Sequence, residues 1–257
     1  MINISELSAG YPGKPVLADV DLAIPAGKLT IIVGPNGCGK STLLKTLCGL
    51  LPMQKGEIRV SGKNITEYTP KMLARQIAYL AQSRPVPEIT VEHMVLHGRF
   101  PYLGYPRRYR PQDLAAARRA MEQMGLLELA ETPLSVLSGG TRQKVYIAMA
   151  LAQDTPIVLL DEPTTYLDIS HQLQMMAHAR ELCRAGKTVV MVLHDISMAL
   201  QTADQLVVME HGRVVRQGEP QEVFASGCLD AVFGVHIDRV SAKNGWHYYY
   251  DTGGEAR

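Results

Sequence analysis

The sequence lacks the long apolar runs that membrane-spanning proteins contain. Its apolar runs, at residues 157–160 and 189–193 for example, hold about five residues, whereas a membrane helix needs about 20. The N-terminal residues also lack a basic stretch followed by an apolar run, so no signal peptide is predicted. We therefore expect the chain not to cross a membrane. If it works at one, we expect it to work from the surface.

An excess of charge of one sign is missing too. The 26 Lys and Arg residues face 25 Asp and Glu residues, which leaves a formal net charge of +1. Such a balance provides no long-range attraction to nucleic acid or to an acidic membrane surface. A local basic cluster of Arg107, Arg108 and Arg110 is the exception, and we interpret it as a solvated loop.

Cysteine is sparse and has no spacing that suggests a metal site. The four cysteines, Cys38, Cys48, Cys183 and Cys228, form no CxxC or zinc-type pattern. Cys38 lies inside a glycine-rich loop, where a disulfide would be awkward. Reduced thiols and a cytoplasmic setting are therefore predicted.

What the sequence does contain is a series of short, β-branched apolar runs. Runs of this length without alternation are typical of strands buried on both faces, as in a parallel sheet. Helical patterns follow several of them, at residues 41–50 and 170–185 for instance, so an α/β layered fold is predicted. The predicted strands are residues 29–33, 77–80, 157–160, 189–193 and 206–209.

The middle of the chain has a different pattern. Residues 92–152 are mostly helical in character, with residues 115–124 and 141–152 as the clearest helices. This favours a helical subdomain inserted between two halves of an α/β core, all within one domain. The predicted segments are 1–84 for the first part of the core, 85–152 for the helical subdomain, 153–226 for the second part, and 227–257 for a C-terminal tail. Residues 207–218 resemble two strands joined by a turn at His211 and Gly212.

A glycine-rich loop with the pattern GxxxxGKS lies between the first predicted strand and a helix. Its glycines let backbone N–H groups turn toward phosphate oxygens, and the helix N-terminus adds a positive dipole. Lys40 places a charge at the β- and γ-phosphates, and Ser41 offers a hydroxyl to Mg²⁺. The predicted nucleotide-binding residues here are Gly34, Pro35, Asn36, Gly37, Cys38, Gly39, Lys40, Ser41 and Thr42.

A second element is the apolar strand that ends in Asp161 and Glu162. Asp161 is predicted to hold Mg²⁺, and Glu162 to polarise a water for in-line attack on the γ-phosphate. Strands that end in solvated acids are common, but the pairing with the phosphate loop favours the functional interpretation.

His93 and His97 have the i, i+4 spacing of a metal pair. They lack the Glu of a zinc hydrolase and a third ligand, so a helix face is the interpretation we favour.

Between these two elements lies the sequence LSGG, followed by a basic helix. Ser138 can cap that helix, while Gly139 and Gly140 expose its first N–H groups as a second anion site. On physical grounds alone an ordinary capped helix is the favoured interpretation. We call Ser138, Gly139 and Gly140 the signature turn.

The combination of LSGG, the phosphate loop and LLDEP resembles the ABC ATPase family, from Tyr11 to about Phe233. The resemblance implies a P-loop NTPase (RecA-like) core with an N-terminal antiparallel β region and an inserted α-helical subdomain. It also implies a head-to-tail dimer that sandwiches two ATP molecules. Each ATP is then held by one subunit's phosphate loop and by the signature turn of the other.

Further residues match the family one by one. Tyr11 resembles the aromatic residue that stacks on adenine, with a packed surface tyrosine as the alternative. Gln82 resembles the glutamine that contacts Mg²⁺ and senses the membrane partner, and Asp168 the aspartate that links the two sites across the dimer. His194 resembles the histidine that touches the γ-phosphate and holds the geometry of Glu162. Thr141 departs from the family, which usually has Gln there.

The resemblance further indicates a transporter subunit. A single phosphate loop and the absence of a long coiled coil distinguish the chain from translation factors and chromosome proteins of the family. Tyr166, the DISHQ segment and residues 97–104 resemble importers of iron chelates (siderophores), haem and cobalamin. Implied partners are a second copy, a transmembrane permease and, indirectly, an extracytoplasmic binding protein, but no nucleic acid. The implied location is the cytoplasm, peripheral on the inner face of the plasma membrane. The alternative is a soluble ABC ATPase that acts on nucleic acid or ribosomes.

Overall fold

The computed structural model describes residues 1–82, 86–165, 167–242 and 245–251. Its strands are β1 (Ile2–Tyr11), β2 (Lys14–Ile24), β3 (Leu29–Val33), β4 (Met53–Val60), β5 (Lys63–Asn64), β6 (Ile77–Leu80), β7 (Ile157–Asp161), β8 (Thr188–Val192), β9 (Gln205–Glu210), β10 (Arg213–Gly218), β11 (His236–Ala242) and β12 (Gly245–Asp251). Its α-helices are α1 (Lys40–Leu47), α2 (Pro70–Leu73), α3 (Val91–His97), α4 (Pro111–Gln123), α5 (Gly139–Ala152), α6 (Ile169–Arg184), α7 (Ile196–Thr202), α8 (Pro220–Ala225) and α9 (Cys228–Phe233). None of the helices in these parts of the chain is long and apolar enough to span a membrane.

A six-stranded sheet in the order β10-β9-β3-β8-β7-β6 forms the centre of the fold. Strand β3 pairs in parallel with β8 and β9, and β7 pairs in parallel with β6 and β8. Every residue of β3, β7 and β8 is buried, because helices or a second sheet cover both faces. The five predicted strands are all present, although β7 extends to Asp161 and β8 begins at Thr188.

A second, antiparallel sheet in the order β2-β1-β4-β5 lies on one side of the central sheet. Its buried residues share an apolar core with α1 and with Ile32 of β3. The neighbouring Ile31 faces the opposite core, which contains residues of α3 to α7. This alternation along β3 places the central sheet between two apolar layers, as the predicted α/β layering requires.

Helices α3, α4 and α5 lie between β6 and β7 in the chain and form the helical part predicted there. A buried ion pair joins two of its segments, since Arg99 Nε lies 3.1 Å from Asp113 Oδ1. Arg99 Nη1 also donates to the carbonyl of Ala152 at 2.8 Å, at the end of α5. Helix α4 begins four residues earlier than the sequence predicted. Pro111 occupies its first turn, and the Asp113 carboxylate accepts the backbone N–H of Arg110 at 3.0 Å.

The basic loop before α4 is exposed, but two of its arginines have partners within the same loop. Arg110 Nη2 donates to the carbonyl of Tyr102 at 3.1 Å, and the Arg107 guanidinium lies 5.8 Å from the ring centre of Phe100. The interpretation as a purely solvated loop is therefore incomplete.

On α3, His93 Nδ1 lies 2.8 Å from the hydroxyl of Thr90, and the His97 ring packs on Phe100 with centroids 4.5 Å apart.

Helix α1 ends earlier than predicted, at Leu47 rather than at residue 50. Gly49 adopts a φ of 72°, and the N–H of Leu50 bonds to the carbonyl of Lys45 at 2.9 Å. A glycine in the left-handed region with this hydrogen bond is a Schellman cap, which ends the helix. Helix α6 is shifted by one residue, because Asp168 caps its N-terminus.

The predicted turn between β9 and β10 is present at His211 and Gly212, with φ values of 47° and 77°. A Cβ atom on Gly212 would lie 2.0 Å from the carbonyl oxygen of Val16, so only glycine fits this close approach. The Gly212 N–H donates to the carbonyl of Cys38 at 3.0 Å. The turn of the hairpin therefore bonds directly to the phosphate loop and stabilises it.

The region after residue 227, for which the sequence showed no clear period, contains α9 and the hairpin of β11 and β12. Tyr248 is buried and packs edge-on against Phe224 at 5.2 Å between ring centres. The Ser197 hydroxyl donates to the carbonyl of Tyr248 at 3.0 Å, which joins the hairpin to α7. Tyr248 thus attaches β12 to the rest of the fold.

Candidate active site

The phosphate loop connects the buried strand β3 to helix α1 at the carboxyl edge of the central sheet. Gly34 lies so close to β9 that a Cβ atom there would be 2.1 Å from the carbonyl oxygen of Met209. Gly39, directly before α1, has a φ of 109°, a conformation that residues with a side chain rarely adopt. These glycines shape a loop whose backbone leads into a helix N-terminus, where anions bind favourably.

Lys40, the first residue of α1, is only 5% exposed. Its Nζ atom donates to the carbonyl oxygens of Gly34 at 2.7 Å and Pro35 at 2.9 Å. The lysine thus folds back over its own loop, and its charge is compensated by carbonyl dipoles. The geometry places a buried positive charge where the loop would surround phosphate groups.

Asp161 ends strand β7 and is 1% exposed. Ser41 Oγ donates to its Oδ1 atom at 3.0 Å, and the Tyr79 hydroxyl donates to its Oδ2 atom at 3.0 Å. Burial raises the pKa of this carboxyl above its usual value, and the hydrogen bonds from Ser41 and Tyr79 oppose that shift. Burial also raises the pKa of the Tyr79 hydroxyl well above its ordinary value, so this group remains a proton donor.

The pair of Ser41 and Asp161 fits a magnesium ion. Mg²⁺ prefers oxygen ligands, and it is commonly bound by one or two carboxylates together with substrate phosphates. The hydroxyl of Ser41 and the carboxylate of Asp161 supply such oxygens beside the phosphate loop. These two residues would hold the ion, whereas the side-chain amide of Gln82, the third residue predicted for Mg²⁺, donates to Glu162.

Glu162 follows Asp161 and has a φ of 51°, in the left-handed region that residues other than glycine seldom occupy. Its Oε1 atom lies 2.8 Å from His194 Nε2, and its Oε2 atom accepts a hydrogen bond from Gln82 Nε2 at 2.5 Å. The structure therefore brings together the three residues proposed for catalysis. They come from the ends of three different strands, β6, β7 and β8.

A cleft of about 480 Å³ joins these groups into one site. Tyr11 lies at its edge with 40% of its surface exposed, and its hydroxyl lies 3.4 Å from Lys45 Nζ. An exposed ring at this edge suits stacking on a base better than packing in a core. The lining includes Tyr11, Lys14, Val16, Asn36, Gly37, Gly39, Lys40, Ser41, Thr42, Gln82, Glu162 and His194.

The signature turn is an exposed helix start. Ser138 Oγ accepts the N–H of Thr141 at 3.2 Å and lies 2.9 Å from the Thr141 hydroxyl. A Cβ atom on Gly139 would meet nothing within 4 Å, so the backbone there is open. Thr141 thus bonds to Ser138 at the position where the family usually has Gln.

Asp168 caps helix α6 within its own chain. Its Oδ1 atom accepts hydrogen bonds from the N–H of His171 and the hydroxyl of Ser170, both at 2.9 Å. The hydrogen bonds to His171 and Ser170 lower the pKa of Asp168 to about 2. Among the described residues, neither Asp168 nor the signature turn belongs to the lining of the cleft. Tyr166, the subfamily marker, lies outside the described residues.

Sequence reasoning missed three residues that the structure places at the site. Tyr79 reaches Asp161 from the neighbouring strand, while Lys14 and Val16 enter the cleft from the start of β2. Tyr79 lies inside β6, which ends at Leu80, and no local pattern of the sequence distinguished it from the other residues of that strand. Lys14 and Val16 follow Tyr11 across the turn that joins β1 to β2.

The ABC transporter family profile matches residues 17–165 of the chain. The chain is 43% identical over 234 residues to the achromobactin transport ATP-binding protein CbrD of Dickeya dadantii (strain 3937), which covers 90% of this chain and 87% of that protein. It is 42% identical over 232 residues to the ferric enterobactin transport ATP-binding protein FepC of Escherichia coli (strain K12), covering 90% and 86%.

Solved structures agree with these relatives. A metal-chelate type ABC transporter in an inward-facing conformation has a TM-score of 0.84 and 25% identity, covering 97% of this chain and 96% of that chain. The ATP-binding cassette MJ0796, in a dimeric post-hydrolysis state with ADP and Pi, has a TM-score of 0.75 and 28% identity, covering 86% and 99%. The chain belongs to the ABC transporter family. It is an ATP-binding, ATP-hydrolysing subunit of that family, and the predicted P-loop NTPase fold is confirmed.

Replacing Lys40 by Ala is expected to weaken ATP binding about 10-fold or more, since hydrogen bonds to charged groups contribute about 1.5–3 kcal/mol. Titration with a fluorescent ATP analogue measures this affinity. The matched control is Lys187→Ala, which removes a lysine that also bonds a backbone carbonyl, at 2.8 Å from Thr155 O. The control should bind the analogue like the unaltered protein. Equal affinity of Lys40→Ala and the control would contradict the assignment of the phosphate loop.

Proposed function

We propose that this chain powers an ABC importer for an iron chelate (siderophore), haem or cobalamin. The observation that carries the ATPase part is the convergence of Gln82 and His194 on the Glu162 carboxylate, beside the Lys40 loop. The cargo class is supported by the named relatives, one of which is a ferric enterobactin transport ATP-binding protein, and by the metal-chelate type structure. The HGRFPYLG sequence at residues 97–104 supports the same class.

The proposed hydrolysis follows from the geometry of the cleft. Tyr11 stacks on the adenine, and Lys40 exchanges its two loop carbonyls for phosphate oxygens. Glu162 orients a water and accepts its proton as the oxygen attacks the γ-phosphorus, while the bond to the β-phosphate oxygen breaks and ADP leaves. His194 holds the Glu162 carboxylate in place and reaches the γ-phosphate. Mg²⁺, when bound by Ser41 and Asp161, neutralises charge on the phosphates.

The proposed assembly is a head-to-tail dimer. The signature turn is exposed and open, and it does not contribute to the cleft of its own chain among the described residues. An anion-binding helix start without a nucleotide of its own is explained when it covers the ATP of a second copy. Asp168, whose side chain is exposed at the start of α6, then lies between the two sites.

The proposed membrane partner is a transmembrane permease, and through it an extracytoplasmic binding protein. Gln82 supports this coupling, because it connects β6 to the helical part of the chain and also bonds Glu162. A movement of the helical part transmits to the catalytic carboxylate through this side chain. The chain then works in the cytoplasm, peripheral on the inner face of the plasma membrane.

Uptake by cells tests the proposal. A strain that lacks the gene should lose uptake of one labelled cargo among ferric siderophores, haem and cobalamin, and the unaltered gene should restore it. The Glu162→Gln variant should not restore it, although the protein is made in equal amount. Unchanged uptake of all three cargoes, with ATPase activity that ribosomes or nucleic acid stimulate, would instead support a soluble ATPase.

A further inference from the structure

Strand β6 and the residues directly after it donate hydrogen bonds to both carboxylates of the site. Tyr79, within the strand, donates to Asp161 Oδ2 at 3.0 Å, and Gln82, just beyond its end, donates to Glu162 Oε2 at 2.5 Å. The two acceptors are consecutive residues at the end of β7. One element thus controls the position of the proposed metal ligand and of the proposed general base.

Tyr79 is held more firmly than Gln82. It lies opposite Leu159 in the parallel ladder of β6 and β7, and its neighbours Ala78 and Leu80 are fully buried. Its ring packs against the apolar core beside α1. The phenol therefore reaches Asp161 from a position fixed by the sheet, whereas Gln82 lies beyond the strand.

The hydrogen bonds of Asp161 assign different tasks to its two oxygens. An ionised carboxylate accepts hydrogen bonds only, and Oδ2 accepts one from the Tyr79 phenol. The other oxygen, Oδ1, faces the hydroxyl of Ser41. The bond to Tyr79 fixes the rotation of the carboxylate, so that Oδ1 is directed to the place where Ser41 and Asp161 would hold the ion.

We propose that Tyr79 is a positioning residue that orients the Asp161 carboxylate for the Mg²⁺ of the bound nucleotide. The proposal rests on the proposed function, in which Asp161 and Ser41 hold that ion. Mg²⁺ demands near-octahedral geometry at short distances, so a carboxylate free to rotate binds it less well. Loss of a group that orients a metal ligand typically lowers metal affinity about 10–100-fold.

The Tyr79→Phe variant tests this role, because it keeps the ring and removes only the hydroxyl. Binding of a fluorescent ATP analogue is measured in EDTA and then during titration with Mg²⁺. We expect unchanged affinity in EDTA and a Mg²⁺ midpoint raised about 10-fold. Bound and free Mn²⁺, measured by electron paramagnetic resonance with ADP present, should show the same shift. Hydrolysis at saturating Mg²⁺ should largely recover.

The control is Tyr68→Phe, which removes a phenol that donates to the carbonyl of Val60 at 3.0 Å, away from the cleft. It should leave the Mg²⁺ midpoint unchanged. An unchanged midpoint in Tyr79→Phe would overturn the proposal, and so would a loss of affinity already present in EDTA. The Asp161→Asn variant distinguishes a failure of the role proposed for Tyr79 from a failure of the metal role proposed for Asp161. If that variant shifts the midpoint and Tyr79→Phe does not, the role of Tyr79 alone is wrong. If neither shifts it, the proposed metal role of Asp161 is wrong as well.

Discussion

Replacing Glu162 by Gln is expected to lower the rate of ATP hydrolysis by about 10²–10⁴, the usual effect of losing a general base. The amide keeps the size of the side chain and can still bond to Gln82 and His194, but it cannot accept a proton from water. ATP binding should remain, because the Lys40 loop is untouched. Phosphate release and binding of a fluorescent ATP analogue measure the two quantities separately.

Glu210→Gln is the matched control for this experiment. It makes the same change at the end of β9, in a side chain that lies 3.9 Å from His211 and outside the cleft lining described above. Its hydrolysis rate should equal that of the unaltered protein. Turnover of the Glu162→Gln variant at the normal rate would remove Glu162 from its proposed role.

The second large effect concerns the dimer. With ATP, the Glu162→Gln variant should accumulate as a dimer of twice the 28.2 kDa chain mass, because it blocks hydrolysis, the step that we propose reopens the dimer. Adding Ser138→Arg should abolish this dimer, since a long side chain then occupies the exposed helix start that we propose approaches the partner's nucleotide. The double variant should still bind ATP through its own Tyr11 and Lys40. Light scattering reports the mass, and the fluorescent analogue reports binding.

Ser135→Arg, in the same Glu162→Gln background, controls for the added charge. Ser135 is also exposed and lies one turn before the signature turn. This control should still dimerise with ATP. A dimer that persists in the Ser138→Arg variant would reduce the signature turn to a helix cap. Loss of ATP binding together with the dimer would mean that Ser138 serves the nucleotide of its own chain.

The parts of the site that sequence alone predicts are the contiguous ones. The phosphate loop and the Asp161-Glu162 pair each combine a buried strand with a fixed order of residues, so their local geometry follows from their spacing. Gln82 and His194 are single residues after strands, and only the resemblance to a family distinguished them from structural residues. Their approach to Glu162 depends on which strands are neighbours in the sheet, and no local pattern contains that order.

Tyr79 shows the same difficulty in a stronger form. Its contact with Asp161 depends on the register between β6 and β7, where Tyr79 lies opposite Leu159. A shift of one residue would turn its ring to the other face of the sheet. Helix boundaries were missed for a more local reason. Pro111 sets the start of α4 through its fixed backbone angle, and Gly49 ends α1 through a hydrogen-bonded cap; an apolar periodicity reveals neither.

The bonds from Lys40 to the carbonyls of Gly34 and Pro35 have a thermodynamic consequence. An ammonium group buried without partners would destabilise the loop, but here the loop's own carbonyl oxygens accept its hydrogen bonds. Nucleotide binding therefore exchanges one set of partners for another, and its affinity reflects the difference between phosphate and two peptide dipoles. A protein that releases ADP after each turnover benefits from this moderation, because the two carbonyls can replace phosphate oxygens as partners of Lys40 when the product dissociates.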